Sequence, residues 1–151
     1  MNSMNVDGSK RGTGVWIVIS IDTTCNGNQS VKTKISFDEN KAIEIFESES
    51  YCKLRYVRDM LCKKYNISEN VTFKDIREEV LKNGDCLEMG YVNDCEKLLT
   101  IHNKFKNDEC CVNDIFVKMY FIDESENDKT FNKVLLKNID SVDSFFSGKI
   151  V

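Results

Sequence analysis

Hydrophobic and polar residues alternate most clearly near the two ends of the chain. Val15, Ile17, Ile19 and Ile21 alternate with Trp16, Val18 and Ser20, the pattern of a strand buried on one side and partly covered on the other. Val31, Thr33, Ile35 and Phe37 alternate with Lys32, Lys34 and Ser36, a half-exposed strand. Between them Asn26-Gly27 supplies the positive φ that tight turns need. Parity constrains the loop, because a slip of one residue turns every side chain to the other face. A two-residue loop sets Ile19 opposite Lys34. A three-residue loop of Asn26-Gly27-Asn28 sets Ile19 opposite Ile35 and Ile17 opposite Phe37, and is preferred. Toward the C-terminus Ile115, Val117, Met119 and Phe121 alternate with Phe116, Lys118 and Tyr120, a second strong strand. Thr130–Lys137 follows as its hairpin partner.

The middle of the chain reads as helical. Leu54, Val57, Leu61 and Tyr65 form one apolar stripe on a helix over Tyr51–Tyr65, with Ser50 as N-cap and Lys63 and Lys64 suiting the dipole of its last turn. The acidic stretch Asp38–Ser50 before it is expected to be a connection. Val71-Thr72-Phe73 fits a short strand, but a helix is better supported. Thr72 and Asp75 make a capping box, Phe73, Ile76 and Val80 share a face, and Asn83-Gly84 gives the stop. Leu87, Met89 and Tyr91 alternate as a short strand. Asp94 is expected to cap a third helix over Cys95–Lys106, with Leu98, His102 and Phe105 on one side. Ser141–Phe146 begins a short terminal helix. These elements predict an α+β domain over residues 14–151 behind a flexible tail of residues 1–13. Its mixed or antiparallel sheet is built from an N-terminal and a C-terminal hairpin, with two to three helices between them.

Composition narrows the function classes. The 151 residues include 21 basic and 25 acidic side chains, a net charge of −4, so nothing favours the phosphates of nucleic acid. The longest apolar run, Val15–Ile19, is too short for a secretory signal and far below the roughly 20 residues that span a bilayer. The expectation is a soluble intracellular protein, cytoplasmic or nuclear, with no membrane partner. In that compartment the seven cysteines are expected to be free thiols rather than a disulfide framework.

Catalytic signatures are scarce. The chain lacks a phosphate-binding Gly-Lys-Ser/Thr loop, a Gly-x-Ser-x-Gly elbow and a His-Glu-x-x-His pair. Its one histidine, His102, is the only side chain that titrates near neutral pH without a strong shift. On the predicted helix Cys95 would stand about 10.5 Å from His102 along the axis, too far for His102 to activate a thiol. A zinc site drawn from Cys86, Cys95, His102 and Cys110 is the alternative, although these ligands lack the usual spacing of about two to four residues. A thiol-dependent enzyme is the other alternative. The expectation is no enzyme activity and no cofactor. Arg55, Arg58, Lys63 and Lys64 give one helix a basic character opposite the acidic runs at Asp38–Glu49 and Asp123–Asp128. They are the candidate partner-binding residues, although they spread around the non-apolar part of the helix, which favours a solvated face.

The N-terminal hairpin followed by Leu54-Arg55-Tyr56-Val57-Arg58-Asp59-Met60-Leu61-Cys62-Lys63-Lys64-Tyr65-Asn66-Ile67 resembles the opening of ubiquitin-like β-grasp modules. There a hairpin packs across one helix that ends in an aromatic-polar-isoleucine step. The resemblance covers residues 14–75, and extends to Ile115–Ile122 if that strand completes the sheet. The long Asp38–Ser50 connection and the extra helices depart from the pattern. Ser147-Gly148-Lys149-Ile150-Val151 carries no Gly-Gly, so conjugation is not implied. The resemblance implies a non-enzymatic interaction module or adaptor. Its partner would be another protein or a second copy of itself, met through an exposed sheet face or edge.

Overall fold

The computed structural model describes residues 14–94, 96–105, 112–123 and 139–149. Its elements are β1 (Gly14–Thr24), β2 (Gln29–Ser36), α1 (Glu39–Tyr65), α2 (Phe73–Lys82), β3 (Cys86–Val92), β4 (Lys97–Lys104), β5 (Val112–Asp123) and α3 (Ile139–Lys149). The strands form one sheet in the order β2-β1-β5-β4-β3, with every neighbouring pair antiparallel. The fold is therefore α+β with an antiparallel sheet. The expected tail of residues 1–13 and the strand Thr130–Lys137 lie outside the described residues.

The β1–β2 loop has the odd length that parity demands, but it sits one residue earlier than expected. Thr24 N–H donates to Asn28 O (2.9 Å), and Gly27, at φ 88°, closes the turn by donating to Thr24 O (2.9 Å). The loop is thus Cys25-Asn26-Gly27, with its left-handed residue at Gly27, as a three-residue hairpin requires. Ile17 consequently faces Ile35, Ile19 faces Thr33 and Ile21 faces Val31.

Helix α1 is longer than its sequence suggests, 27 residues and roughly 40 Å. The expected connection Asp38–Ser50 is its first half. Asp38, not Ser50, is the N-cap, its carboxylate accepting from Asn40 N–H (3.2 Å). Ser50 lies fully buried within the helix. The inward stripe runs Ala42, Phe46, Ser50, Leu54, Val57, Leu61. Two of its first members are small or polar, so the apolar period is hard to read there. Both ends of the helical hairpin close with left-handed residues. Asn66 (φ 56°) ends α1 while Ile67 N–H reaches back to Cys62 O (2.8 Å), and Gly84 (φ 83°) ends α2 while Asp85 N–H reaches Val80 O (3.1 Å).

The capping box expected at Thr72 and Asp75 starts α2, which buries Phe73, Ile76 and Val80. A second anion adds to it: Asp143 of α3 accepts from the backbone N–H of Phe73 (2.7 Å) and of Lys74 (3.4 Å). A carboxylate there satisfies orphan donors and opposes the positive end of the helix dipole. Helix α3 is fastened further by Phe146. Its ring lies 5.2 Å from Tyr51 and 5.8 Å from Phe73, beneath the Arg58 guanidinium at 4.8 Å.

The helix expected over Cys95–Lys106 is not present. Residues 97–104 are β4, paired with β3 on one side and β5 on the other. Ladder bonds on both edges and burial of Leu99 and Ile101 outweigh a local pattern that also fits a helix. Asp94 accordingly caps nothing helical. Leu98 and His102 project from the sheet face opposite the one that carries Leu99, Ile101 and Asn103.

The described helices all pack on one face of the sheet. The core takes Trp16 and Val18 from β1, Ile115, Val117 and Met119 from β5, Leu99 and Ile101 from β4, and Leu87, Met89 and Tyr91 from β3. Phe46 and Leu54 enter it from α1 with no exposed surface. Phe46→Ala is expected to lower unfolding free energy by about 3–5 kcal/mol, the cost of a large buried cavity. Thr72→Ala is expected to cost about 1 kcal/mol, the worth of one N-cap. Urea unfolding of the two variants checks both values and their order.

Candidate interaction surface

The register places residues of the sheet face opposite the helices in rows that cross several strands. Phe116 of β5, Ile21 of β1 and Val31 of β2 make one row. Lys118, Ile19 and Thr33 make the next, and Tyr120, Ile17 and Ile35 the one after. At the far end Glu88, His102, Asp114, Thr23 and Gln29 make a polar row across all five strands. There His102 Nδ1 meets Asp114 Oδ1, and Gln29 Nε2 donates to Thr23 Oγ1 (3.4 Å).

Exposure rises across these rows toward β2. Leu98 and Lys118 are buried, and Ile17, Ile19 and Ile21 are half-buried. Val31 is 56% exposed, Ile35 60%, and Phe37, just past β2, 82%. The alternation in β1 resolves opposite to its hydrophobicity. Trp16, Val18 and Ser20 enter the core, while the more uniformly aliphatic set Val15, Ile17, Ile19 and Ile21 faces away from the helices.

Strand β2 carries the same inversion further. Its lysines project on the helix side, where one carboxylate serves both: Glu49 of α1 lies 3.2 Å from Lys32 Nζ and 3.8 Å from Lys34 Nζ. Beside them Lys53 of α1 holds Asp22 of β1 at 2.6 Å. Ser20 and Ser50 are buried along the same interface. The seam between α1 and the hairpin is therefore polar, and the apolar side chains of β2 are turned to solvent.

The residues singled out from sequence fall in several places. Arg58 donates to Glu69 O and stacks on Phe146, so it braces α1 against its neighbours. Lys64 lies over the rings of Tyr65 and Phe105, at 5.7 and 4.7 Å. Arg55 and Lys63 are exposed. Lys63 borders a surface groove of about 650 Å³ with Tyr56, Met60, Cys62 and Ile67. These four cations make no single basic patch. Of the zinc alternative, Cys95 and Cys110 lie outside the described residues. Cys86 and His102 share a sheet face on neighbouring strands, but the register sets Cys86 opposite Lys104 and His102 opposite Glu88. Among the described residues no group of three or more His, Cys, Asp or Glu side chains is placed to hold a metal ion. Because His102 stands on a strand, its helical distance from Cys95 no longer applies.

The exposed faces of β2 are the feature that sequence reasoning anticipated only in kind. A sheet face or edge is the expected contact, whereas the turning of the apolar side of β2 away from the helices depends on the pairing of β1 with β5. Comparison with protein-family models, curated proteins and solved structures finds no match for this chain. No helix among the described residues is long and apolar enough to cross a membrane.

Two titrating groups at the C-terminal end of α1 make its packing measurable. Burial pushes the Cys62 thiol above its ordinary range, whereas Cys25 and Cys52 are exposed. Alkylation near neutral pH is expected to modify Cys25 and Cys52 well before Cys62, and mass spectrometry of timed samples checks the order. Burial, and then the hydrogen bond to Asp85, hold the Tyr65 phenol above its ordinary value of 10.0. The unfolded chain ionises at that lower value, so the stabilisation is whole below pH 10 and is lost as pH rises beyond it. Tyr65→Phe is expected to lower stability at neutral pH and to flatten its fall above pH 10, read from urea midpoints across that range.

Proposed function

We propose that this protein is a non-enzymatic interaction module that docks another protein on the sheet face opposite the helices, at its exposed β1–β2 end. The observation that carries this reading is the inverted amphipathicity of β2. An exposed strand ordinarily turns its charged side chains to water and its apolar ones to the helices. Here Lys32 and Lys34 are turned to the helices, while Val31 and Ile35 stand in solvent beside Phe37 and the half-buried isoleucines of β1. Leaving contiguous apolar surface in water forgoes roughly 25 cal/mol per Å², and such patches mark contact sites. The ubiquitin-like resemblance of residues 14–75 points the same way, since β1 and β2 pack across α1 as a hairpin does in those modules.

The test is the double variant Val31→Glu/Ile35→Glu. Both positions are exposed, so the thermal midpoint is expected to stay near that of the wild type. Proteins cross-linked in cells through a photoreactive residue at position 33 are expected to be recovered with the wild type and lost with the variant. Recovery of the same proteins by both chains, at equal yield, would overturn the reading.

A further inference from the structure

We infer that the outer edge of β2 takes an extended peptide segment in which acidic and apolar residues alternate, added as a sixth strand. This rests on the interaction-module reading above and names the occupant of that surface. Three features of β2 carry it.

The first is the direction of its main-chain groups. In an antiparallel pair, directly opposite residues alternate between bonded and non-bonded pairs. Thr24 and Asn28 are bonded at the hairpin end, with Thr24 N–H on Asn28 O at 2.9 Å. Stepping by two along the register makes Asp22–Ser30, Ser20–Lys32, Val18–Lys34 and Trp16–Ser36 the bonded pairs. The N–H and C=O groups of Val31, Thr33 and Ile35 therefore point away from β1. Among the described residues nothing pairs with this side of β2, and its residues from Gln29 to Ile35 are exposed. No proline interrupts it.

The second is the alternation of its side chains. A strand bonded to β2 directs successive side chains to opposite faces. One set would lie beside Val31, Thr33 and Ile35, extending the apolar rows that run outward from Ile21, Ile19 and Ile17. The other set would lie beside Lys32 and Lys34. The ligand's pattern follows: apolar residues on the first set and carboxylates on the second.

The third is charge. Two lysines share the single carboxylate of Glu49, and their side chains remain 56% and 51% exposed. The edge thus holds a surplus positive charge. A second copy of β2, paired antiparallel about Thr33, would set Val31 against Ile35 but also Lys32 against Lys34, and like charges directly opposite are destabilising. Charge therefore selects an acidic segment over a second copy of this chain.

The experiment uses three synthetic peptides of about nine residues, the span of one long edge pairing. One alternates glutamate with valine, one alternates lysine with valine, and one has the first composition with its glutamates and valines in separate blocks. Binding to the full chain is followed by calorimetry at about 50 and about 500 mM salt, and by amide hydrogen exchange in NMR. The glutamate–valine alternation is expected to bind, to weaken at high salt, and to slow exchange at Val31, Thr33 and Ile35 but not at Lys32 and Lys34. The other two peptides are expected to bind at least roughly tenfold more weakly, since opposite-charge pairs become like-charge pairs or lose their register. Lys32→Glu/Lys34→Glu is expected to exchange the preferences of the two alternating peptides.

Equal binding of the glutamate and lysine peptides, or binding without protection at those three amides, would overturn the inference. So would amide protection that appears without peptide and grows with protein concentration, which would identify a second copy as the occupant. In each of those cases Val31→Glu/Ile35→Glu still reports separately whether the hairpin face is an interaction surface at all. Should Lys32→Glu/Lys34→Glu fail to fold, the salt dependence and the peptide comparison on the wild-type chain decide the matter alone.

Discussion

The pairing of β1 with β5 sets the face of every side chain in the hairpin. Directly opposite residues in an antiparallel pair share a face. Strand β5 lies at the centre of the sheet and commits Ile115, Val117 and Met119 to the core. Their partners on β1 are Asp22, Ser20 and Val18, and the next pair sets Trp16 against Phe121. The aliphatic set Val15, Ile17, Ile19 and Ile21 is thereby sent outward. The hairpin register passes the same choice on to β2, sending Val31 and Ile35 outward and Lys32 and Lys34 inward. A one-residue slip between β1 and β5 would reverse all of it.

That choice also shapes the helix layer. Facing β1 and β2, α1 meets Ser20, Asp22, Lys32 and Lys34, and it answers with Ser50, Lys53 and Glu49. Facing β3, it meets Tyr91 with Phe46, whose rings lie 6.0 Å apart. The helix is thus polar on one flank and aromatic on the other. Apolar packing binds α1 to β5, to the core side of β1 and to α2 and α3, while ion pairs join it to the polar positions of the hairpin. Partly buried pairs of this kind contribute orientation more than net stability. They align β2 without drawing its aliphatic side chains toward the core.

What could be read from sequence was what neighbouring residues decide. The capping box of Thr72 and Asp75 is local chemistry, and α2 begins where it stands. The alternations of β1, β2, β3 and β5 mark strands because period two needs only a few residues to show. Two elements escaped because distant partners decide them. Residues 97–104 carry apolar side chains on both faces, a pattern that suits a helix until β3 and β5 supply ladders on either side. The first half of α1 hides its inward stripe behind Ala42 and Ser50, small residues that fit close to the sheet but carry no hydrophobic period. The site divides likewise. The exposed strand was legible, but the outward face of β1 was not, since it depends on a register between residues about a hundred positions apart.

The lysines of β2 bear on a more general tension. An exposed edge invites any strand, and charged side chains on it, lysine above all, normally discourage such pairing. Lysines on an edge do not repel every strand, however. They disfavour one that brings cations opposite them and favour one that brings carboxylates, so the same two charges act against self-pairing and for an acidic ligand. Glu49 moderates both effects, since it lies within ion-pair distance of both ammonium groups and offsets one of the two charges in the free protein. Without it, two adjacent cations would repel one another in the unoccupied state. With a second carboxylate, no charge would remain for a ligand to meet. One acid for two bases leaves the edge protected from its own kind and selective toward the opposite charge. The aliphatic residues that flank the lysines, Val31 and Ile35, then supply contact area, and the charges determine which strand can use it.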